Sequence, residues 1–169
     1  YILITDADGT YPMKGIPRLI KTIKGHSMVV CARVGDSVKI PTLRRPAKWL
    51  LNKLADYLSN NKIPDLNSGL RIINKDIYKK YFHLLPDGFS FTTTITLAML
   101  CGGEKVKYIP IDYYPRKGKS KIRPIRDTLN FFQLIIRTVM YFNPLRIFLP
   151  LSSVFIFSGI FMILYRLFN

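Results

Sequence analysis

Thiols, imidazoles and carboxylates are all scarce in this chain. Its 169 residues include two cysteines, Cys31 and Cys101, and two histidines, His26 and His83, with no CxxC pair. A zinc site or a disulfide framework needs more soft ligands at closer spacing, so both are excluded and the two thiols are expected to be buried. Acidic residues number 10 against 26 lysines and arginines, a formal charge of +16. There is no internal repeat and no low-complexity tract, and with 49% hydrophobic residues disorder is excluded. A globular chain this basic favours anionic partners: nucleic acid, phosphate-bearing substrates or a lipid surface.

Charge is missing altogether from Ile147 to Tyr165, 19 consecutive residues. As a helix this run would be roughly 28 Å long, about the hydrocarbon thickness of a bilayer, so it reads as a transmembrane helix, with a buried core helix as the alternative. Pro150 is expected in its first turn, where proline costs little. Upstream, Arg116, Lys117, Lys119, Lys121, Arg123 and Arg126 place six positive charges in eleven residues, and only Arg166 follows the span. By the positive-inside rule the N-terminal part is cytoplasmic. Between the two lies Ile125 to Phe142, in which Asp127, Asn130, Gln133 and Arg137 recur at intervals of three, three and four. They form one polar stripe on an otherwise apolar helix, as suits a helix in the membrane interface or one packed under the soluble domain. The resulting division is 1–124 as a soluble domain, 125–144 as the interfacial helix and 145–169 as the transmembrane helix.

The first 124 residues alternate between strand and helix signals, which argues for an α/β layer fold. Strands are predicted at Tyr1 to Thr5, Met28 to Ala32, Leu70 to Ile73 and Val106 to Ile111. Helices are predicted at Ile16 to Lys24, Pro46 to Ser59, Lys75 to Phe82 and Thr92 to Cys101. The chain opens inside a buried-strand pattern without Met, so an N-terminal region is expected to precede it.

The strongest local motif ends that first strand: Ile2-Leu3-Ile4-Thr5-Asp6-Ala7-Asp8-Gly9-Thr10-Tyr11-Pro12. In an extended segment Asp6 and Asp8 share a face at the strand's carboxyl end, where open α/β sheets bind ligands. Two carboxylates there suit a hard divalent cation, Mg²⁺ or Mn²⁺, which would bring phosphates with it. A solvated strand-end turn uses the same residues. The motif also resembles that of haloacid dehalogenase-type phosphatases, but these need a later Gly-Asp followed by another acid. The one such pair, Gly35-Asp36, is followed by Ser37-Val38-Lys39-Ile40-Pro41 and has no carboxylate to offer.

Four segments occur together in order: Asp6 to Pro12, Met28 to Arg33, Asp65-Leu66-Asn67-Ser68-Gly69-Leu70-Arg71, and Arg116-Lys117-Gly118-Lys119-Ser120-Lys121-Ile122. In this order the chain resembles family-two glycosyltransferases, and among them the polyprenyl-phosphate sugar transferases, from Tyr1 to about Phe148. The resemblance implies the C-terminal part of a GT-A (Rossmann-like) glycosyltransferase domain, and an inverting transfer of sugar from a nucleotide diphosphate to a polyprenyl phosphate. By similarity Asp8 and Asp6 hold the metal and the donor nucleotide, Arg33 contacts the donor, and Asp65 is the general base. Arg71, Arg116, Ser120 and Lys121 would contact phosphate and acceptor. Asp65 could instead orient a sugar hydroxyl or hold Arg71, because an acceptor phosphate with a second pKa near 6 is already largely ionised at neutral pH.

The family's N-terminal strands for the nucleobase are absent from this sequence, so the segment alone is expected to be inactive. No Gln-x-x-Arg-Trp follows Gly88, which disfavours processive polysaccharide synthesis. The competing class is a membrane-anchored, non-catalytic scaffold binding anionic lipid through the basic run. Nucleic acid is excluded as a partner, since the run is short and lies against the membrane segment.

Overall fold

The computed structural model describes residues 1–33, 45–86, 90–114 and 124–168, excepting the side chains of 45–48 and 124–125. In chain order they form β1 (Ile2–Ile4), α1 (Ile16–Thr22), β2 (Met28–Arg33), α2 (Arg45–Ser59), β3 (Arg71–Ile73), α3 (Lys75–Tyr81), α4 (Phe91–Cys101), β4 (Val106–Ile111), α5 (Pro124–Phe142) and α6 (Leu145–Phe168). The fold is mixed α/β. Every predicted strand and helix is present, with ends shifted by a few residues. Local chemistry sets several of those ends: the Asn74 side chain caps α3 by accepting from the Asp76 and Ile77 amides, and Asp76 sits in its positive first turn.

The sheet order is β1-β3-β2-β4. Strand β3 is antiparallel to both β1 and β2, whereas β2 and β4 are parallel. Consequently β1, β2 and β4 run one way. Their carboxyl ends meet the amino end of β3 at a single end of the sheet, and Arg71 there is paired in register with Ile4 on one side and Val30 on the other.

Alternation along the strands divides the core. Val29, Cys31, Leu70 and Ile72 pack with Leu19 of α1, with Ile23 just after it and with Tyr11 on one face. Met28, Val30 and Ile73 pack on the other face with Ile95, Ala98 and Met99 of α4. Behind α4, its Leu97 and Leu100 join Ala55 and Leu58 of α2 and Ile135 and Val139 of α5. Each large apolar side chain buried in this way contributes about 1.5–3 kcal/mol. Helix α4 is thus covered on all sides, and its buried threonines are satisfied locally: Thr94 and Thr96 donate to the carbonyls of Ser90 and Thr92, and Thr93 donates to Asn67.

Helix α5 packs through Ile135 and Val139 but leaves Leu129, Phe132 and Met140 exposed, so it both underlies the domain and presents an open apolar strip. Helix α6 has 24 residues, is long and apolar enough to cross a membrane, and is not buried by the rest of the described chain. Its serines hide their hydroxyls on the helix's own carbonyls, Ser152 and Ser153 on Leu149 and Ser158 on Phe155. Because α6 begins at Leu145, Pro150 lies inside the helix and not in its first turn, at the cost of one backbone hydrogen bond.

Candidate functional site

The topology gathers the carboxylates and cations at one end of the sheet. Just beyond β1, the chain turns at Gly9, whose φ of 70° favours glycine. This turn is fixed by Asp8, whose Oδ1 accepts from the Thr10 amide at 3.2 Å and from the Thr10 hydroxyl at 2.6 Å. The Asp6 carboxylate lies against the backbone of Gly69, so closely that a Cβ at position 69 would overlap it. The segment after β1 and the segment before β3 therefore lie side by side, and glycine is what leaves room for the Asp6 side chain.

Asp65, 5% exposed, forms a two-pronged ion pair with Arg33 at the end of β2. The Arg33 Nε donates to Oδ2 at 2.6 Å and Nη2 to Oδ1 at 2.8 Å. The Arg33 amide adds a bond to Oδ2 at 3.1 Å and the Asn67 amide one to Oδ1 at 3.2 Å. Each oxygen of the expected base thus carries two donors. Burial alone would lower the Arg33 pKa, but the hydrogen-bonded Asp65 carboxylate outweighs it and raises the pKa above the ordinary arginine value. The guanidinium also lies 5.3 Å from the ring centroid of Tyr113, just past β4. Arg33, expected at the donor, is held by Asp65; Arg71, the cation that Asp65 might have held, has other partners.

Those partners lie inside the fold: Arg71, expected at the acceptor phosphate, has its side chain fully buried. Position 71 shares a sheet face with Ile73, and the guanidinium is directed under α4. There Nη1 donates to the Thr92 carbonyl at 3.1 Å and the Thr96 hydroxyl at 2.9 Å, Nε donates to the Ser68 carbonyl at 3.2 Å, and Nη2 donates to that same carbonyl. Burial lowers its pKa to about 10, leaving it cationic at neutral pH. Arg71 ties the turn carrying Asp65 to the start of α4.

Tyr11 is a site residue that the sequence reading missed. It is buried, and its Oη accepts from the Gly69 amide at 2.7 Å, fixing the backbone against which Asp6 rests. Burial raises its pKa, keeping the phenol protonated. Its ring packs edge-on against Tyr113. The Tyr114 amide donates to the Thr10 carbonyl at 2.9 Å, so the chain beyond β4 passes beside the Asp8 turn before leaving the described residues. Arg116, Ser120 and Lys121 lie outside the described residues. Cys31 is buried and Cys101 partly so; burial pushes both thiols up to about 11, so neither is a nucleophile at neutral pH.

No protein-family model matches the chain. Among curated proteins it is similar to a dolichyl-phosphate hexose transferase of Haloferax volcanii, 27% identical over 125 residues, which is 73% of this chain and 54% of that protein. It is 23% identical to the low-salt glycan biosynthesis hexosyltransferase Agl6 of the same organism, over 75% of this chain and 32% of the relative. It is 24% identical to an undecaprenyl-phosphate mannosyltransferase of Micrococcus luteus, over 69% of this chain and 51% of the relative. The chain thus spans about half the length of two relatives and a third of the other. All three are named as sugar transferases, two of them for a polyprenyl phosphate, and it is to such transferases that the chain is similar.

Proposed function

We propose that the whole protein is a membrane-anchored GT-A glycosyltransferase that moves a sugar from a nucleotide diphosphate to a polyprenyl phosphate with inversion. The observation that carries this reading is the meeting of the Asp6–Asp8 turn, the Arg33–Asp65 pair and the Tyr113–Tyr114 stretch just past β4 at one end of the sheet. In the reaction an acceptor phosphate oxygen attacks the anomeric carbon, and the bond from that carbon to the nucleoside diphosphate breaks. The attacking phosphate is already largely ionised at neutral pH, so the step requires no strong base. This suits an Asp65 whose oxygens are occupied: it fixes Arg33 and the 65–69 turn in place.

Among the described residues there is no cluster of three His, Cys, Asp or Glu side chains. The donor set of Asp6 and Asp8, two carboxylates, nevertheless suits a hard cation, and these two residues would hold Mg²⁺ or Mn²⁺. When bound, the ion neutralises charge developing on the leaving pyrophosphate. Arg116 and Lys121 would add cationic groups to the same phosphates, Ser120 a hydroxyl donor. Helix α6 anchors the enzyme in the bilayer, the exposed strip of α5 lies in the interface, and the sheet faces the cytoplasm. The test uses the full-length protein in membranes with labelled nucleotide sugars, polyprenyl phosphate and Mn²⁺. A labelled lipid extractable into organic solvent is expected with one donor of the panel, and none with any donor would overturn the reading.

A further inference from the structure

The polar stripe of α5 is not used by the site described above. The exposed side chains of Asn130, Gln133 and Arg137 border an open surface recess of about 260 Å³ with Leu134 and, across from them, Ser90, the residue before α4. Of the stripe's four residues Asp127 is engaged elsewhere, whereas among the described residues the side chains of Asn130, Gln133 and Arg137 make no hydrogen bond or ion pair. Ser90 holds an unusual backbone with φ of 88°, and its side chain does not cap the helix that follows it. Two carboxamides, a hydroxyl and a guanidinium thus border one recess without being consumed by the fold. On the same helix, around from Gln133, run the exposed Leu129, Phe132 and Met140. A polar recess beside an apolar strip, on the helix that leads directly into α6, is complementary to a lipid headgroup with its chains attached.

We propose that this recess binds the headgroup of an anionic phospholipid bearing hydroxyls, of the glycerol or inositol type. Arg137 takes the phosphate, by charge and by its forked donors. Asn130 and Gln133 each offer a donor and an acceptor, which a hydroxyl satisfies together and a bare phosphate does not. The chain's charge of +16 supplies long-range attraction to such a surface. The proposal rests on α6 crossing a membrane, not on the transferase reading.

The test measures binding of short-chain phosphatidylglycerol to the full-length protein, stripped of lipid in neutral detergent. Saturable binding is expected, about tenfold weaker in Arg137→Gln. Asn130→Leu/Gln133→Leu should weaken it severalfold and remove the preference over phosphatidic acid. Arg126→Gln, an exposed cation of α5 outside the recess, should cost at most about fivefold, the effect of general surface attraction. Equal losses in the two arginine variants, or an absence of saturable binding, would overturn the proposal. Glycerol phosphate competing as well as the lipid would reassign the recess to soluble anions, and polyprenyl phosphate binding better would reassign it to the acceptor; either result overturns the proposal. Sugar transfer is not read in this experiment, so its failure leaves the proposed reaction untouched.

Discussion

Replacing Asp65 by asparagine separates the two roles open to that residue. In the native site each carboxylate oxygen accepts two donors: Oδ2 the Arg33 amide and Nε, Oδ1 the Arg33 Nη2 and the Asn67 amide. An asparagine keeps one oxygen and turns an NH₂ toward the other pair, so in either orientation two donors lose their acceptor. The pair is 5% and 19% exposed, which leaves little room for water to substitute. Hydrogen bonds to charged groups contribute about 1.5–3 kcal/mol each, and breaking a buried pair costs about 3–5 kcal/mol, so a loss of about 3 kcal/mol is expected. Arg33→Met should cost a similar amount, and the double variant should fall well short of the sum. The assay is denaturant unfolding of the full-length protein in detergent, alongside transfer rates across pH. As a positioning residue, Asp65 shares its loss of rate with Arg33, and the acid limb near pH 6, set by the acceptor phosphate, stays in place in both variants. Full stability in Asp65→Asn with transfer abolished and the acid limb gone, while Arg33→Met still turns over, would refute this and make Asp65 the base.

Three further outcomes follow from the same geometry. Arg71→Met orphans the Ser68 carbonyl, whereas the Thr92 carbonyl keeps the Thr96 hydroxyl, so it should cost about 1–3 kcal/mol in unfolding and leave polyprenyl-phosphate affinity unchanged; lost affinity at full stability would restore Arg71 as a phosphate contact. Gly69→Ala drives the Cβ into the Asp6 carboxylate, which is exposed and can swing aside, so stability should change by less than about 1 kcal/mol while transfer falls about a hundredfold; undiminished transfer would remove Asp6 from the site. Burial would raise the Glu104 pKa, but bonds from Ser27, Lys80 and Tyr81 outweigh it and lower the folded value below 4.5. The stability this provides is present above that unfolded value and lost as pH falls through the folded one, so Glu104→Gln should be destabilising at pH 7 and equal to the parent in strong acid; a deficit constant with pH would refute the sign.

Apolar patterning made every strand and helix legible, because burial on two faces leaves short continuous apolar runs in β2 and β3 and burial on one face leaves a longer, helical period in α1, α2 and α5. Strand direction was not legible: nothing in Leu70-Arg71-Ile72-Ile73 marks β3 as antiparallel, a property of the connections around it. The pairing of Arg33 with Asp65 spans 32 positions and depends on that register. Arg71 carried a signal that was available, since alternation places it on the face of Ile73, inside the core, and a cation in that position is held by carbonyls before it can meet a ligand. Tyr11 had none, because a tyrosine after a turn reads as surface until the Gly69 amide is seen against it. The Asp6–Asp8 motif was legible as a site, as short polar motifs at strand ends are, although only the fold shows that Gly69 makes room for Asp6.

Whether this end of the sheet transfers sugar is read from the rate of polyprenyl-phosphate glycosylation by full-length Asp8→Ala in native membranes, at saturating donor and Mn²⁺, against the parent. Transfer is expected to be abolished while membrane association is unchanged. An undiminished rate in Asp8→Ala would contradict this and leave the basic, membrane-anchored chain as a lipid-binding scaffold.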